Sequence, residues 1–265
     1  MKSVIALALA LLVSPGALAL DWKTALGGAH RDEANKSRDA ARHPRETLEF
    51  FGLSDGMTVV EVSPGGGWYT EVLAPLLRGN GTYYAAHHSL NAPGGYARNS
   101  LGKYLQKLAA DPELYGEVVI TQLMPPQQVE LAPAGTADMV VAFRNVHSWM
   151  RADALDSILA AIHAALKPGG VFGLVQHRAA GDITTEQMKK SGYVPTDVVI
   201  EAARSAGFEL AAQSEINANA KDTANHPNGV WSLPPALRGG DVDKDRFLAI
   251  GESDRMTLKF VKPGA

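Results

Sequence analysis

The chain is 265 residues long, carries 25 basic and 28 acidic residues, and contains no cysteine. Because the basic residues are scattered along the sequence, we expect no nucleic-acid partner. The absence of cysteine excludes both a disulfide framework and a lipid-modified cysteine, so stability must come from an ordinary core. The length fits one α/β domain that carries insertions.

Residues 1–19 have the composition of a cleaved secretory signal peptide. Lys2 precedes an apolar run over residues 4–13, and Ala17-Leu18-Ala19 supplies an A-x-A cleavage site. The run is short for a membrane span, and an uncleaved anchor is the alternative interpretation. We therefore expect a periplasmic or secreted protein with no stable membrane anchor after cleavage. The sequence leaves its oligomeric state open.

Residues 20–265 are predicted to form one domain, which begins with a helical cap over residues 20–50. This segment is polar and indicates one or two short helices, the second opened by Pro44. Leu48, Phe50 and Phe51 provide its apolar anchors.

The next segment predicts a strand over Thr58–Val62, a glycine-rich loop, and a helix over residues 68–77 in which Pro75 is an unfavourable residue. A loop of this kind allows a ligand to approach backbone N–H groups at a helix N-terminus. Glu61, near the strand end, can accept hydrogen bonds from a ligand's hydroxyl or amino groups. This order is typical of a nucleotide- or nucleoside-binding crevice, with a tight turn that binds nothing as the alternative.

Strands and helices then alternate, which predicts a Rossmann-like, doubly wound α/β fold with a seven-stranded, mostly parallel sheet. The later strands are expected at residues 82–86, 118–123, 137–143, 171–176, 208–216 and 255–261, and helices at 100–109, 155–166 and 195–206. An irregular insertion covers residues 217–246. No helix separates the last two strands, so we expect them to pair antiparallel.

These features, with Leu166-Lys167-Pro168-Gly169-Gly170 before the fifth strand, resemble class I S-adenosylmethionine-dependent methyltransferases over about residues 42–262. Residues 64–71, 143–147 and 251–258 further resemble a group of exported bacterial predicted methyltransferases. The resemblance implies a methyltransferase that uses S-adenosylmethionine and acts on an unknown acceptor, expected to be a small molecule. The implied cofactor-binding residues are Glu61, Ser63, Gly65, Gly66, Gly67, Trp68 and His87.

Two of these positions depart from the family pattern. Ser63 replaces the first glycine of the loop, which matters little if its backbone is extended. His87-His88 stands where the family has an acid that holds both ribose hydroxyls. An imidazole lacks the two-oxygen fork of a carboxylate, and a charged hydrogen bond is worth roughly 1.5–3 kcal/mol.

His147 and Asn145, just after the fourth strand, are the candidate catalytic residues. Methyl transfer is an in-line displacement in which the protein mainly positions the partners, and a base is needed only if the acceptor must lose a proton. The alternatives are a loop histidine bonded to backbone and an asparagine that caps a helix. Weaker candidates are Tyr69, the pair His177 and Arg178, the pair Arg42 and His43, and His226.

The sequence leaves two other functions open. His87, His88, His147 and His177 follow strand ends, and three converging imidazoles would suit zinc. Their spacing matches no known metal motif, so we predict no metal site. The export signal and the histidine at the acid position favour a non-enzymatic small-ligand-binding module on the same scaffold.

Overall fold

The structure, a computed structural model, describes residues 19–264. The predicted signal peptide therefore lies outside the described residues, apart from Ala19. Among residues 19–264, no helix combines the length and the apolar character that a membrane crossing requires.

Four short helices form the N-terminal cap, where one or two were predicted. They are α1 (Trp22–Gly27), α2 (Glu33–Lys36), α3 (Asp39–Arg42) and α4 (Pro44–Phe51). Pro44 occupies the first turn of α4, where its missing N–H leaves no bond unmade. Leu48 and Phe51 are fully buried and anchor α4 to the sheet side of the molecule.

One eight-stranded sheet runs through the domain in the order β4-β3-β2-β1-β5-β6-β8-β7. Its strands are β1 (Thr58–Val62), β2 (Thr82–His88), β3 (Val119–Met124), β4 (Gln128–Val129), β5 (Ala137–Phe143), β6 (Leu166–His177), β7 (Glu209–Ser214) and β8 (Arg255–Val261). The strands β3, β2, β1, β5 and β6 pair parallel, whereas β8 is antiparallel to both β6 and β7. The predicted fold class is confirmed, and β4 is a two-residue addition antiparallel to β3.

Helices cover both faces of the sheet. The remaining ones are α5 (Thr70–Leu77), α6 (Gly95–Ala110), α7 (Pro112–Tyr115), α8 (Val146–Arg151), α9 (Leu155–Ala165), α10 (Thr185–Ser191), α11 (Thr196–Ser205) and α12 (Lys244–Ile250). Alternate residues of β1 point to opposite faces, so Val60 joins the apolar cluster under α9 and Val59 the cluster under α5. Sequence patterns located the longer elements, whereas α7, α8, α10 and α12 were not predicted.

Pro75 lies inside α5, and the helix continues through it. A proline has no N–H, so the carbonyl of Glu71 one turn earlier loses its helical partner. The His30 ring of the N-terminal cap lies 2.9 Å from that oxygen and donates to it through Nε2. The cap therefore compensates for the proline and is tied to the helix that follows the glycine loop.

The insertion at residues 217–246 is largely irregular, as predicted, with a short 3-10 turn at Gly229–Ser232. Asp222 anchors it, since its carboxylate accepts hydrogen bonds from Tyr193 Oη at 2.9 Å and from the backbone N–H of Asp254 at 2.8 Å. His226 Nε2 lies 2.8 Å from the same carboxylate. His226 is thus a buried internal contact.

Candidate active site

A cavity of about 760 Å³ opens at the carboxyl edge of the sheet, beside β1 and β5. The strand order reverses direction at β1. From β1 the chain first adds β2 and β3 on one side of the sheet, and it later adds β5 and β6 on the other side. Such a switch point leaves a crevice between diverging loops. The volume lies in the usual range for small-molecule sites.

The glycine loop forms one wall of this cavity. The backbone N–H groups of Gly65 and Gly66 have no partner among the described residues, and a Cβ added at either position would meet nothing within 4 Å. Gly67 differs, since its Cβ would lie 3.0 Å from Tyr104 Cε2 of α6. Of the three predicted cofactor glycines, two face the cavity and the third permits close packing.

Ser63 also lines the cavity, but its backbone is not extended. Its φ of 57° is left-handed, a region where a residue with a Cβ is less stable by roughly 1–2 kcal/mol. The condition under which serine would cost little, an extended backbone, is therefore not met. Its N–H donates to Ala86 O at 2.9 Å, which ties the loop to β2.

Glu61 is buried at the floor of this wall. Its Oε2 accepts hydrogen bonds from Tyr83 Oη at 2.5 Å and from Thr70 Oγ1 at 3.4 Å, while Oε1 has no partner among the described residues. Burial raises the pKa of Glu61 to about 7, although the Tyr83 and Thr70 bonds lower it in part. One carboxylate oxygen is thus fixed, and the other is available to a ligand.

His87 does not line the cavity, contrary to its predicted role in cofactor binding. Its Nδ1 accepts the backbone N–H of His88 at 2.7 Å, and its Nε2 donates to Gly65 O at 3.0 Å. Both ring nitrogens are engaged, and burial lowers the pKa of His87 to about 4. The ring supports the glycine loop from beneath and has no group left for a ribose hydroxyl.

The same contacts remove His87 from the hypothetical metal site. The four histidines form two separate pairs: the ring centroids of His87 and His88 lie 5.3 Å apart, and those of His147 and His177 lie 5.7 Å apart. Across residues 19–264, no three His, Cys, Asp or Glu side chains are grouped closely enough to hold a metal ion. The convergence of three imidazoles that a zinc site would need is therefore not found among the described residues.

His147 lines the cavity, as predicted, from the first turn of α8. The Gln176 amide nitrogen lies 2.9 Å from Gly192 O and 3.2 Å from His147 Nδ1. Because the Gly192 carbonyl needs a donor, we assign nitrogen to this position, so Nδ1 accepts and Nε2 carries the hydrogen. Burial, with nearby Arg151, lowers the pKa of His147 to about 4. A neutral ring that presents an N–H suits a hydrogen-bond donor better than a general base.

Asn145 also reaches the cavity, but its amide has a structural partner. Nδ2 donates to Val62 O at 2.9 Å, across from the end of β5 to the end of β1. This bond holds the two loops of the switch point together.

The rest of the cavity lining, which we call the basic wall, is strongly basic. Seven cationic side chains line the cavity against a single carboxylate, Glu61. They are Arg38, Arg42, Arg144, Arg151, Lys189, Lys190 and Arg238. Residues scattered along the sequence are thus gathered by the fold, which the linear charge pattern did not indicate.

Behind this wall, Glu252 binds three arginines. It accepts Nε of Arg38 at 2.6 Å and Nε of Arg42 at 3.2 Å, and it pairs closely with Arg255. Burial alone would raise the pKa of Glu252, but attraction to Arg255 and Arg42 and the Arg38 contacts lower it to about 2. Arg42 also stacks on Trp68, 4.6 Å from the ring centroid.

Arg144 is the first residue after β5 and has a left-handed backbone with φ of 64°. Its guanidinium takes part in no hydrogen bond or ion pair among the described residues, and it lines the cavity. Burial and nearby Arg255 lower its pKa to about 10. Strained backbone at a site of this kind is a common mark of function.

The insertion contributes Trp231 to the cavity lining. The guanidinium groups of Arg151 and Arg238 lie 5.5 and 5.0 Å from its ring centroid. The His147 ring meets Trp231 edge-on at 5.7 Å. The irregular stretch therefore supplies both an aromatic surface and positive charge.

The other predicted residues divide between the cavity and the scaffold. Trp68, Tyr69, Arg42 and His177 line the cavity, whereas His43, Arg178 and His226 do not. Arg178 is paired with Glu215 and Asp254 instead. Sequence reasoning missed Arg38, Arg144, Trp231 and Arg238 as cavity residues. Only Arg144 had a usable signal, its place directly after a predicted buried strand.

Comparison with known proteins finds similarity at the level of the fold. No protein-family model matches the sequence, and the search of curated proteins finds no match. Among solved structures, an S-adenosylmethionine-dependent methyltransferase from Aquifex aeolicus is similar over 85% of this chain and 93% of its own, with 16% identity and a TM-score of 0.56.

Two further structures show the range of chemistry on this fold. The cyclase SpnF is similar over 89% of this chain and 86% of its own, with 19% identity and a TM-score of 0.60. An arsenic(III) S-adenosylmethionine methyltransferase from Chlamydomonas reinhardtii is similar over 80% of this chain and 64% of its own, with 14% identity and a TM-score of 0.50. At these identities the similarity establishes the fold, and function must be argued from the site.

Proposed function

We propose that the protein is an exported S-adenosylmethionine-dependent methyltransferase of the exported bacterial group named above. The observation that carries this proposal is the wall formed by Gly65, Gly66 and Glu61, which combines two unpaired backbone N–H groups, open space above them and an available carboxylate oxygen. These groups suit a ligand with hydroxyl and amino donors and a polar acceptor. The residues fit the cofactor at this wall.

In this proposal S-adenosylmethionine supplies an electrophilic methyl group on a sulfonium. Ser63, Gly65, Gly66, Glu61 and Trp68 would hold it. His147 donates its Nε2 hydrogen to the acceptor and orients it. With a pKa of about 4, His147 is a weak base, so the proposed acceptor reacts without early loss of a proton.

Calorimetric titration of S-adenosylmethionine and S-adenosylhomocysteine tests this function. We expect micromolar binding by the purified protein and a loss of at least tenfold in Glu61→Gln. Glu113→Gln, an exposed carboxylate on α7, is the matched control and should bind normally. A folded protein that binds neither compound contradicts the proposal.

A non-enzymatic binding module is the second candidate. The observation in its favour is His87, whose ring occupies the usual acid position with both nitrogens engaged. Loss of the ribose-holding acid favours a ligand other than an adenosyl compound. The absence of cofactor binding in the same titration would support this candidate.

The export of the protein is tested separately. We expect the mature chain to begin at Leu20 and to be recovered from the periplasm or medium. N-terminal sequencing of that fraction would give Leu20 as the first residue, whereas an intact Met1 on a membrane-bound chain would indicate an uncleaved anchor.

A further inference from the structure

The basic wall carries an imbalance of charge that the proposed cofactor does not remove. Four guanidinium groups, Arg38, Arg42, Arg144 and Arg255, lie around one carboxylate, Glu252. We call these four residues the arginine cluster. Arg42 and Arg255 are almost completely buried. Buried like charges without enough counter-charge are unfavourable, so the cluster lacks anionic partners.

The hydrogen-bond pattern shows where such a partner can bind. Arg38 and Arg42 each use Nε for Glu252, and their terminal Nη groups have no partner among the described residues. Arg255 is directed inward, since it donates to Ala41 O at 3.1 Å and does not line the cavity. Arg38, Arg42 and Arg144 therefore present unpaired guanidinium N–H groups to the same space.

Burial and nearby Arg144 lower the pKa of Arg42 to about 8. Burial and repulsion from Arg144 therefore both disfavour the charged form of the Arg42 guanidinium. A sulfonium cofactor would add another positive charge to this cavity. A second ligand with a negative charge would relieve the repulsion through charge-assisted, two-point hydrogen bonds.

We propose that Arg144, with the Nη groups of Arg38 and Arg42, binds an anionic group of the methyl acceptor, a carboxylate or a phosphate. The assignment to the acceptor rests on the proposed function. Arg144 is three residues before His147, on the loop that follows β5, so an anion held there lies beside the proposed hydrogen-bond donor. Trp231 lines the same cavity, and its ring contacts the His147 ring edge-on at 5.7 Å.

Two anions distinguish the possible sources of the negative charge. Benzoate carries a carboxylate on an aromatic body, and inorganic phosphate carries the tetrahedral group alone. Each is titrated into the wild type, Arg144→Gln and Arg144→Gly by calorimetry. Arg204→Gln, an exposed arginine on α11, is the matched control. Arg144→Gly guards against misfolding, since glycine tolerates a φ of 64° and the variant should melt no lower than the wild type.

We expect saturable binding of at least one anion, weakened roughly tenfold or more in both Arg144 variants and unchanged in Arg204→Gln. No binding of either anion, or equal binding by all variants, overturns the inference. S-adenosylmethionine is titrated into the same variants. Unchanged cofactor affinity in Arg144→Gly supports an acceptor site, and a parallel loss overturns it by assigning Arg144 to the cofactor's own carboxylate.

The failure of this inference differs from failure of the proposed function. Cofactor binding without anion binding refutes only the anionic acceptor. Arg144-dependent anion binding without cofactor binding refutes the methyltransferase and retains the anion site.

Discussion

The two walls of the cavity are built in different ways. The glycine-loop wall, residues 61–68, is formed by backbone groups and one tyrosine-held carboxylate, and its polar atoms come from consecutive residues. The basic wall assembles side chains from the α2–α3 segment, the loop after β5, α8, α10 and the insertion. The glycine-loop wall presents mainly backbone groups, which depend on the fold more than on the identity of individual side chains. The basic wall distinguishes this chain, because its seven cationic side chains favour some ligands over others.

The largest expected effect tests the basic wall. Glu252→Gln leaves Arg38, Arg42 and Arg255 without their shared carboxylate and should lower the free energy of unfolding by roughly 3–5 kcal/mol. Urea unfolding at neutral pH measures it, with Glu113→Gln as the exposed control. A change below about 1 kcal/mol would show that the arginines do not depend on this partner.

The same group sets an acid limit on stability. Since the pKa of Glu252 is lowered from 4.5 to about 2, its contribution is complete above about pH 4.5 and is lost as the pH falls towards 2. The stability difference between wild type and Glu252→Gln should therefore shrink over this window. A difference that stays constant with pH contradicts the ion-pair assignment.

Glu61, in the glycine-loop wall, should give a pH dependence of stability opposite in sign to that of Glu252. Its raised pKa means that the folded protein retains a proton that the unfolded chain loses above about pH 4.5. Stability attributable to Glu61 is therefore lost as the pH rises from 4.5 through about 7, by roughly 2–3 kcal/mol. Urea unfolding of wild type and Glu61→Gln across this range gives the difference curve, which isolates Glu61 from the buried histidines. A flat difference curve would place Glu61 in contact with water.

A smaller effect is expected at the junction of the walls. Asn145→Ala removes the hydrogen bond to Val62 O and should lower stability by about 1 kcal/mol. Cofactor and anion affinities should change little, because the residue acts by holding two loops. Calorimetry of both ligands tests this. A normal melting temperature with a large loss of affinity would instead favour the ligand-contacting role first predicted for Asn145.

The smallest effect is a gain. Ser63→Gly relieves a left-handed serine and should raise stability by roughly 0.5–1 kcal/mol, after the greater flexibility of glycine in the unfolded chain is allowed for. Ser63→Ala keeps a Cβ and should give no such gain. Thermal unfolding of Ser63→Gly and Ser63→Ala measures the backbone strain directly. Equal stability of the two variants would contradict the strain assigned to Ser63.

The sequence predicted the frame of the site better than its contents. Apolar runs at residues 58–62 and 137–143 located β1 and β5 to the residue, because buried parallel strands have few alternatives. The glycine loop followed from its spacing. The cofactor-binding role predicted for His87 was wrong because both ring nitrogens are bonded to backbone groups of Gly65 and His88. These bonds depend on the fold and leave no signal in the sequence. Arg38, Arg144 and Arg238 are far apart in sequence, so only the folded chain places them in one cavity.

A crystal structure of the protein grown with S-adenosylhomocysteine tests the central claim most directly. We predict the adenosyl group against the backbone of Gly65 and Gly66, with a polar group of the ligand on Glu61 Oε1. A glycine-loop wall filled by the protein's own side chains, with the compound absent or bound elsewhere, would contradict the account.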